Sequence, residues 1–484
     1  MKKFLITGGM IALAAGFLVA GAACRREEQP SGTGYSDGLH YTLTENGEYS
    51  VALGTARPVG TIVIPAEYEG KKVTAISRQG FAYCERLEKL VMPDTITSVG
   101  ADAFYGCENL SEIDFSENIV DIPVSALRNC RWFEEQEGEI YAGKVFLIHK
   151  HLDTELCDCS EIRLKEGTEV ITKDAFYYCA NLKSLEMPDS VRMIENCFLY
   201  CSGLSDIRFS SAVTTLEGSG LKNTDWYSLQ PDGPLYVGKV LFSLKNSSLE
   251  ELRIREGTVC VGTMAENEAL KSVVIPDSVE EMAEGAFENC PSLEWAEIGT
   301  GLRVVPDRAF ADCPLFSDVT LGKNVEEIGR EAFYGAGIGV MEFPESVKII
   351  GAYSFAENKK LTCISLNEGL QRIENSAFIN CALETLALPD SLVYLGGNSF
   401  ANNAFPEVTL GSNLEEVRLP FSGCTALEIV RITRPASEGV FEADGLLGFD
   451  LDSLTAIYFP DEETMEVYRS GLQMHQAVFK VQTD

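Results

Sequence analysis

His149-x-His151 lies a few residues ahead of Cys157-x-Cys159, and imidazole and thiolate are the side chains that hold zinc. Alternation along a strand would put each pair on one face. The tight spacing within each pair differs from that of structural zinc sites. A matching stretch later in the chain has Leu244 and Asn246 where the histidines stand, and no cysteine, so the fold does not depend on the cluster. The reading assigns no metal and no other cofactor. Nine further cysteines are Cys84, Cys107, Cys130, Cys179, Cys201, Cys290, Cys313, Cys381 and Cys424, and Asn267, Asn358 and Asn403 occupy equivalent places. A position that accepts either residue asks for a small side chain able to meet backbone groups in a turn. Buried free thiols are expected there, although neighbouring cysteines about 5 Å apart at Cα would also lie within disulfide reach. Carboxylates are abundant, but no Ser-His-acid set, G-x-S-x-G or H-E-x-x-H can be picked out. Catalytic residues: none are proposed, and the chain is read as a non-enzyme.

What positions these residues is a repeat. Leu90-Val91-Met92-Pro93-Asp94 leads to Val99-Gly100, Ala103-Phe104, Cys107 and Leu110, and the same words return at Leu185-Glu186-Met187-Pro188-Asp189 and at Val274-Ile275-Pro276-Asp277. An anchor aromatic recurs from Phe81 and Phe104 to Phe400 and Phe421, every 21 to 23 residues where no insert intervenes. A fixed period in the twenties marks a solenoid. Each unit opens with an alternating strand that proline ends, because proline cannot donate to a sheet ladder. The A-F-x-x-C-x-x-L half spaces its apolar residues for one helical or 3₁₀ turn. Stacking buries what a single unit cannot, and about 15 coils at strand spacing would extend about 70 Å.

The unit resembles the BspA-type leucine-rich repeats of bacterial surface proteins over roughly Thr61 to Pro460. That resemblance implies an α/β leucine-rich-repeat solenoid with short parallel strands on one face, an extracytoplasmic binding or adhesion role toward host or neighbouring-cell surfaces, and no catalytic residues.

Residues 1–23 carry Lys2-Lys3, an apolar run and a small-residue exit, the pattern of a signal peptide. Gly21-Ala22-Ala23-Cys24 looks like a bacterial lipoprotein processing site, with Gly21 where leucine is usual. Cys24 would then carry the lipid, residues 24–37 would form a tether, and several acyl chains would hold the protein on a membrane. Residues 38–60 read as an N-terminal hairpin cap around Asn46-Gly47, 61–434 as the solenoid, and 435–484 as a cap of strand and helix (Asp461 to Gln473). Inserts near 131–160 and 225–250 share Trp132 and Trp226, whose expected job is packing. A net charge of −34 in 484 residues argues against nucleic-acid partners, since phosphates need clustered cations.

Along each strand the residues alternating with the core pair face outward. Most are polar. Trp295 is the large aromatic among them, and Val274 from the coil before is expected beside it. The resulting candidate binding patch is Val274, Trp295, Glu297 and Thr320, facing an unidentified surface protein or glycan, with the protein itself a monomer. The alternatives are a structural spacer without a ligand, and a carbohydrate- or metal-handling enzyme.

Overall fold

A computed structural model describes residues 38–54, 59–150, 159–177, 179–439, 453–471 and 479–482. The expected solenoid of stacked parallel strands is present, with about 17 turns. Each coil has three sides. The first is the strand that opens each repeat, ended by Pro276 in one coil and by other residues in its neighbours: Glu251–Arg253, Ser272–Ile275, Trp295–Ile298 and Asp318–Thr320 form one parallel sheet in that order. The second is a line of two-residue strands absent from the sequence reading. In the later coils it runs Val304–Val305, Glu327–Ile328, Ile349–Ile350, Arg372–Ile373, Tyr394–Leu395 and Glu416–Val417. Two residues are too few to display a period of two, so the pattern alone could not reveal them.

The third side holds the anchor phenylalanines. Instead of helices, it contains turns whose backbone alternates in handedness. Arg308 and Asp312 flank Phe310, each with φ of 56°. The alternation turns every second amide toward the next coil. Arg308 N donates to Arg330 O at 2.9 Å, Phe310 N to Ala332 O at 2.8 Å and Asp312 N to Tyr334 O at 2.7 Å. This ladder satisfies buried backbone donors that a loop would leave orphaned.

The carbonyl of each anchor explains the cysteine slot. Cys107 Sγ donates to Phe81 O at 3.1 Å, Cys313 Sγ to Phe287 O at 3.2 Å and Cys424 Sγ to Phe400 O at 3.1 Å. Asn358 Nδ2 makes the same bond to Phe333 O at 2.7 Å, and Asn403 Nδ2 to Phe378 O at 2.8 Å. Thiol and amide are both small donors, which is why they interchange. Asn267 departs from this: its Oδ1 accepts from Leu270 N at 2.9 Å. A second polar slot, two residues after proline, works alike. Ser278 Oγ donates to Thr258 O at 2.8 Å and Ser391 Oγ to Leu370 O at 2.7 Å, each one coil back. Glycine is required where the coil turns after the second strand, since a Cβ on Gly100 would lie 2.4 Å from Arg78 N.

All nine slot cysteines are free and buried. Burial pushes the Cys179, Cys201 and Cys381 thiols up to about 12, so they stay protonated and unreactive at neutral pH. Cys363 is the exposed thiol among the described free cysteines. A thiol reagent is therefore expected to label Cys363 quickly in native protein and the slot cysteines only after denaturation without reductant. Failure of denaturant to release new thiols would show them oxidised.

Inside, the anchors stack face to face. Ring centroids are 5.5 Å apart for Phe287–Phe310 and Phe310–Phe333, 5.0 Å for Phe333–Phe355 and 5.2 Å for Phe355–Phe378. Their exposure is 0 %. The buried core runs without a break from Leu241 to Phe479, and splits into two further clusters earlier in the chain, where the inserts fall.

The two inserts are copies of one module. Each begins with a short helix, Arg131–Glu134 or Asp225–Leu229, and continues into a hairpin, Gly138–Ala142 with Val145–Lys150 or Gly233–Val237 with Val240–Lys245. The hairpins join the second strand line, while the helices stand where the first strand line is interrupted, with Trp132 N on Leu110 O and Trp226 N on Leu204 O, both at 2.7 Å. Trp132 packs edge-on against Phe115 at 5.1 Å, and Trp226 against Phe209 at 5.2 Å. At the N-terminal end Leu39–Leu43 and Tyr49–Leu53 pair as an antiparallel hairpin. At the other end the strands Ala456–Phe459 and Phe479–Val481 extend the sheet, with the helix Glu462–Gly471 between them.

Candidate functional site

The strand face is where the backbone places side chains in ordered rows, and it divides into two halves of different chemistry. In the earlier coils most outward carboxylates are ion-paired. Lys89 Nζ lies 3.1 Å from both Glu112 and Asp114. Arg163 bridges Glu161 at 2.9 Å and Glu186 at 3.4 Å, and Arg208 meets Glu186 at 2.5 Å. These are exposed pairs worth less than about 1 kcal/mol each, yet they place cations among the carboxylates of that surface.

The face changes at Ser272–Ile275. Stacking of Val273 on Ala296 and Ile275 on Ile298 in the core fixes the register. Ser272, Trp295 and Asp318 therefore form one outward row, and Val274, Glu297 and Thr320 the next. The four expected patch residues thus share one sheet, but Val274 stands opposite Glu297, and the coil-before neighbour of Trp295 is Ser272. Spacing along the chain suggests Val274 beside Trp295, but the pairing offset is set by the core and puts Ser272 there. Trp295 is 37 % exposed, so it neither stands free nor folds away under its neighbours. Glu297 and Thr320 are exposed and Val274 half-buried. Farther on, Val340 is 60 % exposed and pairs with the exposed Cys363, and Glu342 pairs with Ser365. Between Arg253 and Arg431 the outward positions of the strands on this face carry no lysine or arginine. Lys271, at the entry to one of them, is held 2.8 Å from Glu250.

His149 lies in the strand Val145–Lys150, its amide donating to Ala175 O at 2.9 Å. Cys159 is disulfide-bonded, which removes it as a thiolate ligand. His151, Cys157 and Cys24 lie outside the described residues. Among the described residues no group of three His, Cys, Asp or Glu is arranged to hold a metal ion. A cleft of about 460 Å³ opens at the first insert, lined by Arg128, Phe133, Ile148, Asp174 and Tyr177 among others. Among the described residues one carboxylate, Asp174, faces it, whereas hydrolysis by paired carboxylates needs two.

A sequence profile described as the BspA-type leucine-rich repeat region matches in six copies, over residues 67–137, 155–232, 236–358 and 328–443. Among solved structures, the chain is similar to a leucine-rich repeat protein from Bacteroides ovatus, at 19% identity over 93% of this chain and 99% of that one, with a TM-score of 0.29. It is also similar to the pneumococcal vaccine antigen PcpA, at 16% identity over 93% and 98% of the two chains, with a TM-score of 0.38. A leucine rich cell surface protein from Faecalibacterium prausnitzii matches at 22% identity over 69% and 95%, with a TM-score of 0.29. No curated protein matches the chain in sequence.

Proposed function

The chain belongs to the BspA-type leucine-rich repeat family, and from that premise we propose that it is a non-enzymatic binding or adhesion module displayed outside the cytoplasm. In this reading the lipid on Cys24 holds it at the bacterial surface, and the strand face around Trp295 contacts a protein or glycan of another cell. The observation that carries the reading is the exposed Trp295 in register with Ser272 and Asp318. An aromatic anchor within a polar surround is how interfaces concentrate their energy, and three neighbouring coils hold this one rigidly. No helix among the described residues is long and apolar enough to cross a membrane, so anchoring falls to Cys24 in this proposal.

The soluble form, Arg25 to Asp484, is expected to be captured by a host or neighbouring-cell surface. Trp295→Ala should weaken capture about tenfold, the loss of roughly 1.4 kcal/mol at a moderate hot spot. Equal capture by both forms would discard the patch. In cells, Cys24→Ser is expected to move the protein from the membrane fraction into the medium, and an unchanged membrane fraction would reject the lipid anchor. The coils from Lys89 to Arg208, where most outward carboxylates are ion-paired, favour a second role for that half, as a spacer holding the patch away from the membrane.

A further inference from the structure

From the unequal charge pairing along the strand face, we infer that the region from Val274 to Glu342 docks an extended basic segment of a partner polypeptide. The inference rests on the binding-module reading and names the partner's chemistry. Two observations carry it. The first is electrostatic. Of the outward carboxylates in the earlier coils, Glu112, Asp114, Glu161 and Glu186 meet a lysine or arginine on the same or a neighbouring strand, while Asp206 and Glu251 do not. Glu297, Asp318 and Glu342 have no ion pair among the described residues. Glu297 and Asp318 stand in adjacent coils, about 4.8 Å apart along the stack, in different outward rows, so they do not lie directly opposite one another, and Glu342 on the following strand is paired with Ser365. That stagger limits their repulsion, which would be greatest for like charges face to face, and leaves a line of negative charge without internal counterions.

The second observation concerns the aromatic. Elsewhere in this chain three strand tyrosines are covered by a cation: Arg255 lies 4.3 Å from the Tyr236 centroid, Arg372 4.1 Å from Tyr394 and Arg431 4.6 Å from Tyr458. Indole is the best cation acceptor of the aromatic side chains, yet no lysine or arginine among the described residues lies over Trp295. An incoming Arg or Lys would supply both the missing cation over Trp295 and counterions for Glu297 and Asp318. Val274 and Val340 would take the apolar residues between the basic ones. A folded partner offering one such strand, or a basic tail, meets these needs equally. A metal ion would satisfy the carboxylates and leave Trp295 without its contact.

The test uses the soluble chain, Arg25 to Asp484, titrated with a short peptide alternating Lys and Thr, with its Glu/Thr counterpart, and with Ca²⁺ alone, while Trp fluorescence and its collisional quenching are followed. The Lys/Thr peptide is expected to bind and shield Trp295, with affinity falling as salt rises. The triple variant Glu297→Gln, Asp318→Asn, Glu342→Gln should weaken it about tenfold. A control with the same change in net charge, Glu166→Gln, Glu256→Gln, Glu368→Gln, should leave it unchanged. Equal weakening in both triples would trace the binding to overall acidity and overturn the proposal. So would undiminished binding by Trp295→Ala, or a response to Ca²⁺ alone. Absence of peptide binding while cell-surface capture persists rejects this partner and leaves the binding-module reading intact. Absence of capture rejects that reading itself.

Discussion

Phe333→Ala should lower the stability of the later coils by about 4 kcal/mol, the cost of emptying a large, fully enclosed aromatic site. Phe333 is 0 % exposed and touches rings on both sides, Phe310 at 5.5 Å and Phe355 at 5.0 Å, with Phe316 at 6.2 Å as well. Its removal takes away buried apolar area and also severs the stack, because each coil is supported mainly by its neighbours. The coils on either side are packed through the ladder bonds Phe310 N to Ala332 O and Phe333 N to Ser354 O, so the site has little room to collapse. Denaturation followed by circular dichroism should show the midpoint falling and the transition broadening, as the array divides into two partly independent blocks. Amide exchange should quicken first in the coils around 310–355. A loss below about 1 kcal/mol, within the range of ordinary surface substitutions, would mean that the rings do not form the spine.

Lys245→Met is the second large effect, about 3 kcal/mol, from leaving buried carbonyls without donors. Lys245 is 8 % exposed, and its ammonium donates to Tyr227 O at 2.9 Å, Ser228 O at 2.8 Å and Gln230 O at 2.6 Å. Three protons meet three acceptors at the C-terminal end of the helix Asp225–Leu229, where the helix dipole also favours a cation. The first insert supplies an internal comparison. Lys150 donates to Phe133 O at 2.6 Å and Glu134 O at 3.0 Å, two carbonyls against three, and its side chain is 15 % exposed. Lys150→Met should therefore cost less than Lys245→Met, and the order of the two melting temperatures tests the accounting. Arginine should not rescue position 245, because a planar fork cannot converge on three carbonyls as a compact ammonium does. Equal stability of Lys245→Met and the parent would show that the carbonyls find water instead.

The anchors, the proline stop, the inserts and the exposed position of Trp295 were legible because a solenoid gives every equivalent side chain the same surroundings. Recurrence at Phe287, Phe310 and Phe333 reports one environment several times over. The interchange of Cys313 with Asn358 was informative for the same reason: it asked for a small side chain that meets backbone groups in a turn, and the structure identified the group as the anchor carbonyl. Less could be read where the backbone acts through groups that all residues share. The alternating handedness of Arg308 and Asp312 uses residue types that betray nothing of their φ, and the amide ladder it builds belongs to no side chain. The two-residue strands escaped for want of length.

The period and the hydrophobic spacing determined the stacked-coil architecture, because spacing decides which residues can be buried together, while the family rested on the resemblance of the repeat motif. Only the tertiary structure decided which outward residues become neighbours. Trp295 faces Ser272 and Asp318, not Val274, because strand pairing is set by how Val273 meets Ala296 in the core. The split between a half where most outward carboxylates are ion-paired and one whose strands lack outward cations was likewise invisible, since an ion pair such as Arg208 with Glu186 joins residues a full coil apart. Distance across coils is created by folding, and electrostatics follows distance rather than order along the chain.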